Sequence, residues 1–365
     1  MSILYGKKVM RKELLKRVGD ISQIAGVRIY ELTEGNEKGV EAVDIKTGTG
    51  FRFTVLPGRG LDISFAEYKG IPLSWISSCG EVAAPYYEPE GLGYLRSVHG
   101  GLLFTCGLTQ VGMPCEDMGE KLGLHGRVSN IPAKNVHADS AWVADEYAMW
   151  VRGKVIETRV FGENVVLHRE ISAKMGESCL YVHDVIENRG FSKIPHMLLY
   201  HINGGYPAVD DGSLLLSPTK KAEPRDDEAK IKMEEYNKFY GPTHGFKERV
   251  YYHDMGCDKE GNVLTALVNK KFNGGEGFGF YVKYFKKELP CFIEWKMCGE
   301  REYVVGMEPA NCRVAGRSEA RKRGELEFLE PGEKREYHLE IGVLPGKREI
   351  LELEKKIKVM QWKRE

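Results

Sequence analysis

The sequence predicts an all-β (mainly β) protein of sandwich or barrel type. Three observations predict it. Short segments rich in β-branched and aromatic residues follow one another at close spacing. Gly, Asn, Asp or Pro turns separate many of them. Helical periodicity is confined to the two ends of the chain.

The first helical signal spans Lys7 to Ile24, where Leu14, Leu15, Val18 and Ile21 recur at helical spacing. Residues 1–25 are therefore expected to form an N-terminal helical extension. Strands follow over VRIYEL, EAVDIKT and FRFTVLP. Gly91 to Gly126 is irregular and rich in glycine (HGG, TCGL, QVGMP, LHGR), which suits tight turns and a pocket wall. YAMWVRGKVIETRVF, NVVLHREISA and CLYVHDVIEN are the next strands. Residues 218–247 are polar and charged, which predicts a long surface loop with a short helix. VLTALVN, FGFYVKYF, CFIEWKM, EYVVGM, ELEFL and REYHLEIGVL complete the strands, and ILELEKKIKVMQWK predicts a closing helix. No linker, low-complexity segment or fixed-period repeat divides the chain, so one domain over 1–365 is expected.

Composition narrows the function. Fifty-three Lys and Arg balance 53 Asp and Glu, which argues against a nucleic-acid surface or a polybasic membrane anchor. The apolar part of the N-terminus is too short for a signal peptide, and no run approaches a membrane span. A cytoplasmic location is expected. The eight cysteines form no CxxC pair and no two-plus-two zinc pattern, so reduced, mostly buried thiols are expected. Cys106 lies between apolar and small residues with no adjacent base. Neither a dinucleotide fingerprint nor a phosphate-binding loop is present, and no cofactor or metal is expected.

Three segments carry candidate chemistry. In GMEPAN, Glu308 follows an apolar run and precedes Pro309, which is expected to stop the strand. An acid there is costly unless exposed, paired (with Arg313 or Arg317) or used. LHGRVSN holds His125 and Arg127, and LLYHINGGYP holds His201 and Asn203. One acid and two histidines suggest general acid–base work. Around them, Lys296 in EWKM is costly on an apolar strand, so a pocket role is expected, with pairing to a carboxylate as the alternative. Arg59 and Asp62 in LPGRGLDI either pair with each other or reach a substrate. His99 and His196 either line the pocket or belong to the core. Asn203 and Asn311 are donors to substrate or turn residues.

In order, LPGRGLDI, GGLLFTCGL, LHGRVSN, PHMLLYHIN, EWKM, GMEPAN and EFLEPGE resemble the galactose mutarotase (aldose 1-epimerase) superfamily. The closer likeness is to an aldose-1-epimerase-like bacterial branch. It runs from about Val55 to Val343. The resemblance implies a β-supersandwich of large antiparallel sheets whose concave face binds a carbohydrate. It implies Glu308 as base on the anomeric hydroxyl, His201 as acid on the ring oxygen and His125 as the group that polarises the sugar. Carboxylate and imidazole are expected on opposite sides of the sugar. Substrate contacts are expected from Arg59, Asp62, His99, Arg127, Asn203, Lys296 and Asn311, with Trp75 and Trp295 as stacking surfaces. Asp254 and Asp258 are the nearest candidates for the acidic sugar-binding residue of galactose mutarotases. LHGR stands in place of H-G-G, and YHINGG in place of N-H-x-Y-F-N, so the sugar is left open: neutral, acidic or phosphorylated. Two alternatives stand beside this reading. One is metal-assisted ketose or uronate epimerisation with His99, His125, His201 and Glu308 as ligands. The other is carbohydrate binding without catalysis. Assembly into a homo-oligomer is also left open.

Overall fold

The computed structural model describes residues 2–360. Alternation builds its largest sheet. Glu146–Thr158 alternates buried and more open positions along its whole length, so one face of the strand enters the core. Eight strands pair in the order Lys134–Val143, Glu146–Thr158, Asn164–Lys174, Cys179–Asn188, Lys334–Leu344, Phe278–Phe285, Asn262–Asn269 and Leu214–Leu216. A seven-stranded sheet runs Phe104–Leu108, Ile194–Gly204, Tyr303–Ala310, Cys291–Cys298, Arg249–Met255 and Thr219–Pro224, with Glu327–Leu329 also on Ile194–Gly204. Five N-terminal strands between Gly26 and Pro72 form a third sheet. Neighbouring strands pair antiparallel, as the expected supersandwich requires.

The main core lies between these sheets. Phe53 and Ile63, Val151 and Leu167, and Ile202 and Met307 meet there from the three sheets. Each such side chain contributes about 1.5–3 kcal/mol by leaving water. A buried ionic cluster ties the same sheets together. The Arg169 guanidinium donates to Asp184 (2.7 Å), Asp62 (2.9 Å) and Thr105 Oγ1 (2.9 Å), and the Tyr200 hydroxyl donates to Asp184 (2.7 Å). Burial opposes the guanidinium charge, but the two carboxylates hold Arg169 firmly protonated. The other face of the seven-stranded sheet carries a separate apolar cluster around Tyr94, Phe104, Val250, Ile293 and Val314.

The ends of the chain differ from expectation. Lys7–Val9 is a strand that pairs with Ser2–Leu4 through a turn at Tyr5 and Gly6, both at positive φ. The first helix covers only Arg11–Leu15. The Asp20 carboxylate then caps a separate short turn, Ile21–Gln23. Within 218–247, Thr219–Pro224 is an edge strand of the seven-stranded sheet. Its lysines and proline are what an exposed sheet edge carries. Asp227–Lys230 supplies the expected short helix. The closing helix spans Lys347–Lys358; residues 361–365, including the end of ILELEKKIKVMQWK, lie outside the described residues. Among the described residues no helix is long and apolar enough to cross a membrane.

Candidate active site

Pro309 does not end its strand, which continues to Ala310. The pairing with Ile194–Gly204 instead lapses at Tyr200–His201 and Glu308–Pro309, and resumes in the same register on either side. Proline has no N–H to give to that ladder. His201 and Glu308 therefore lie directly across from each other on adjacent strands. His201 Nε2 stands 3.0 Å from Glu308 Oε1, though without the alignment of a hydrogen bond. Neither Arg313 nor Arg317 pairs with Glu308; they pair with Glu223 and with Asp117 and Glu120.

The pair forms the floor of a cavity of about 630 Å³ on the outer face of the seven-stranded sheet. Trp75, Trp295, Tyr94, Phe104 and Val250 make apolar walls, and His125, Asn203, Arg225, Glu248 and Glu302 add polar groups. This mixture is typical of a small-molecule site. The Gly-rich 91–126 region supplies one wall, as its composition predicts. Gly306 makes room for the acid: a Cβ there would lie 2.4 Å from Glu308 Oε1 and 3.1 Å from His201 Cε1.

His125 enters from a turn, with φ of +56°. Its N–H donates to the Gly112 carbonyl at 3.0 Å. The Gly112 N–H in turn reaches His125 Nδ1 at 3.4 Å. An accepting Nδ1 leaves the ring proton on Nε2, so His125 offers a neutral N–H donor. Its ring meets that of His201 edge-on at 6.1 Å, and His201 meets Trp295 at 5.3 Å. Burial, then His201, pulls His125 down to about 3. Burial pulls His201 down to about 4, against the Asn203 side chain and Glu248, which favour its charged form. Burial, reinforced by Glu248, raises Glu308 well above an ordinary carboxyl. Histidine and acid are thus both pushed toward their neutral forms.

Several expected contacts lie elsewhere. Arg59 is sealed in the core, donating to the carbonyls of Val82, Ser97 and Ser129 and to Asn130 Oδ1. It does not pair with Asp62, which accepts from Thr105 and Arg169. Lys296 follows Trp295 in sequence and so points to the opposite face. There its ammonium donates to the carbonyls of Glu235 (2.9 Å) and Lys238 (2.5 Å) and sits 4.7 Å from the Tyr240 ring centre. Asn311 stitches strands together: its Oδ1 accepts from Leu198 N–H (2.7 Å), and its Nδ2 donates to the His196 carbonyl (3.2 Å). Arg127 is exposed and does not line the cavity. His99 is fully buried against Phe104, both ring nitrogens without hydrogen-bond partners, and does not line the cavity. His196 is a core residue bonded to the Tyr337 hydroxyl (2.6 Å), and Cys106 is buried with its thiol pushed well up by burial. Asn203 does line the cavity, with its carbonyl oxygen unpartnered. Asp254 faces Lys286 (3.6 Å), and Asp258 caps a turn through the Asn262 N–H (2.8 Å). The acids at the cavity are Glu248, Glu302 and Glu308.

The sequence does not single out Arg225 or Glu248. Arg225 donates to Glu248 (2.9 Å), and Glu248 accepts from the Trp295 indole N–H (2.8 Å). This chain fixes the Trp295 ring at the cavity wall. Both residues sit in charged stretches where one more charge carries no signal. The proposed metal set of His99, His125, His201 and Glu308 does not form. Among the described residues, the group whose ligand atoms converge is His183, Glu336 and His338, on the other sheet.

The fold is that of galactose mutarotase-like proteins, as comparisons with solved structures show. The chain matches the family described as "Domain of unknown function (DUF4432)" over residues 37–343, and belongs to it. It matches no curated protein. A "putative aldose 1-epimerase" from Klebsiella pneumoniae superposes with a TM-score of 0.88 at 25% identity, covering 94% of this chain and 91% of that one. A galactose mutarotase-like protein from Clostridium acetobutylicum gives 0.58 at 11% identity, covering 88% and 99%. Galactose 1-epimerase from Lactobacillus acidophilus gives 0.52 at 13%, covering 88% and 99%. The last two likenesses concern the fold alone.

Proposed function

We propose that this protein is an aldose 1-epimerase-like isomerase that interconverts the anomers of a sugar or sugar derivative by acid–base ring opening. The observation that carries the reading is the His201–Glu308 contact of 3.0 Å on the floor of an accessible cavity, with His125 beside it.

The two groups stand side by side, not on opposite sides of the substrate as expected. That suits the chemistry, because the anomeric hydroxyl and the ring oxygen are bonded to the same carbon. Between them, the imidazole and the carboxyl carry one exchangeable proton. With that proton on His201, Glu308 is a carboxylate and takes the anomeric hydroxyl proton. His201 gives its own proton to the ring oxygen as the bond from C1 to that oxygen breaks and the aldehyde forms. Rotation about the C1–C2 bond and the reverse transfers close the ring on the other face. The transfers leave a carboxylic acid and a neutral imidazole, which are the forms that burial favours. Because burial favours those neutral forms in the resting enzyme too, the ion pair is the minor form from which ring opening starts, and forming it is part of the barrier. The His125 N–H polarises a sugar oxygen, Asn203 contacts a hydroxyl, and Trp75 and Trp295 pack against the sugar face.

The test is anomer-exchange NMR on a panel of neutral, acidic and phosphorylated aldoses, with wild type beside Glu308→Gln. Acceleration for one sugar class that the substitution abolishes supports the proposal. Binding of a sugar with no acceleration by the wild type transfers the reading to carbohydrate binding without catalysis.

A further inference from the structure

Outside the cavity, the eight-stranded sheet carries a cluster that the proposed chemistry does not use. His183 and His338 face each other across the central strands Cys179–Asn188 and Lys334–Leu344. Their rings stack at 4.6 Å, within 10° of parallel. Glu336 lies two residues before His338, on the same face of its strand. Its carboxylate stands 3.6 Å from His183 Nε2. One ligand atom from each of the three lies within 4.8 Å of the other two.

A fourth residue gives this cluster a direction. Glu288, from the loop after Phe278–Phe285, holds His338 twice. One carboxylate oxygen accepts the backbone N–H at 2.9 Å, and the carboxylate faces Nδ1 at 3.2 and 3.3 Å. A proton held on Nδ1 by a carboxylate leaves the Nε2 lone pair free, which is how metal-binding histidines are oriented. Phe285 packs edge-on against the same ring.

We infer that His183, His338 and Glu336 form a binding site for a divalent transition-metal ion of the zinc type, with Glu288 as the positioning residue. Two imidazoles and one carboxylate are a donor set for zinc, cobalt or nickel. Ligand atoms around a tetrahedral zinc lie roughly 3.3 Å apart, given bonds of about 2.0–2.1 Å. The ligand atoms, within 4.8 Å of one another, would draw together on an ion to that spacing. The three side chains are half-exposed, so a fourth position remains open to water or another ligand. Because the ligands come from neighbouring strands, the ion would brace the middle of the sheet and favour the folded state by mass action.

Cobalt(II) titration of the full chain, followed by visible absorbance and by melting temperature, tests this. The expected result is one equivalent bound, a melting temperature that rises with metal, and no thiolate charge-transfer band, which separates this site from the cysteines. His183→Ala and His338→Ala should each remove the binding, and their exposed positions let the variants fold. Glu288→Gln should weaken it by about 10–100-fold. Absence of binding by the wild type, or equal binding by the chain carrying both alanines, would overturn the assignment.

Discussion

The seven-stranded sheet carries two histidine–glutamate pairs, one on each face. His201 and Glu308 meet at 3.0 Å on the outer face, where His201 is 15% exposed to the cavity. His253 and Glu294 meet at 3.2 Å on the inner face, with both side chains fully enclosed. Burial raises both acids above the ordinary carboxyl range. A perturbed acid beside an imidazole is therefore not by itself a reaction centre. What separates the pairs is a cavity large enough for a substrate and a third polar group, His125, aimed into it.

The largest expected effect breaks this symmetry directly. Glu308→Gln should slow anomer exchange by about 10²–10⁴-fold, the usual contribution of one acid–base group. Glu294→Gln should leave the rate unchanged. Equal losses in the two variants would mean that access is not the distinguishing feature.

Gly306→Ala sharpens the comparison, because it adds one carbon beside the outer pair only. The new Cβ has to displace the Glu308 carboxylate. A misplacement of about 1 Å costs about 10²-fold in rate. Turnover should fall with little loss of melting temperature; unchanged turnover would show that the position of the acid is not critical.

The pH profile comes next. His201 is held down to about 4, so the rate should persist to that pH and fall below it as the pair takes up a second proton. Stability should follow a wider window. Unfolded histidines titrate near 6.5, whereas His125 and His196 do so at about 3 and His201 at about 4 in the fold. Their contribution is present above pH 6.5 and is lost as pH falls through the folded values. Melting temperature measured from pH 7 to pH 4 should decline steadily; a flat profile would contradict buried, neutral histidines.

The smallest effect concerns acids that do no chemistry. Glu157, whose carboxylate accepts from the Leu108 N–H at 3.2 Å, is pushed up to about 7 by burial. A raised acid stabilises the fold below its unfolded value of 4.5, and this is lost as pH rises through about 7. Glu157→Gln should therefore gain melting temperature relative to wild type between pH 5 and pH 8, and Glu294→Gln, whose acid is raised in the same direction, should gain as pH rises. No relative gain would place these carboxylates in better-solvated settings.

Much of this was legible in the sequence, for identifiable reasons. Long strands such as Asn164–Lys174 announce themselves by alternation, because one face is buried along the whole length. Thr219–Pro224 does not, since an edge strand needs only its backbone to join the sheet. The motifs singled out Glu308, His201 and His125, and the fold brings these three to one cavity. The site was misread at Arg59, Asp62, Lys296 and Asn311. These are polar groups in apolar surroundings, and the same pattern arises when they satisfy buried carbonyls and carboxylates. Lys296 shows the limit plainly. It adjoins Trp295 in sequence, yet a one-residue step along a strand sends it to the other face. Arg225 and Glu248 reach the cavity through a fold that brings charged segments together, which local composition does not encode.

The most direct test is anomer-exchange NMR with Glu308→Gln and Glu294→Gln measured side by side on the sugar that the wild type accelerates best. The account predicts that exchange collapses in Glu308→Gln and persists in Glu294→Gln. Undiminished exchange in Glu308→Gln would contradict it.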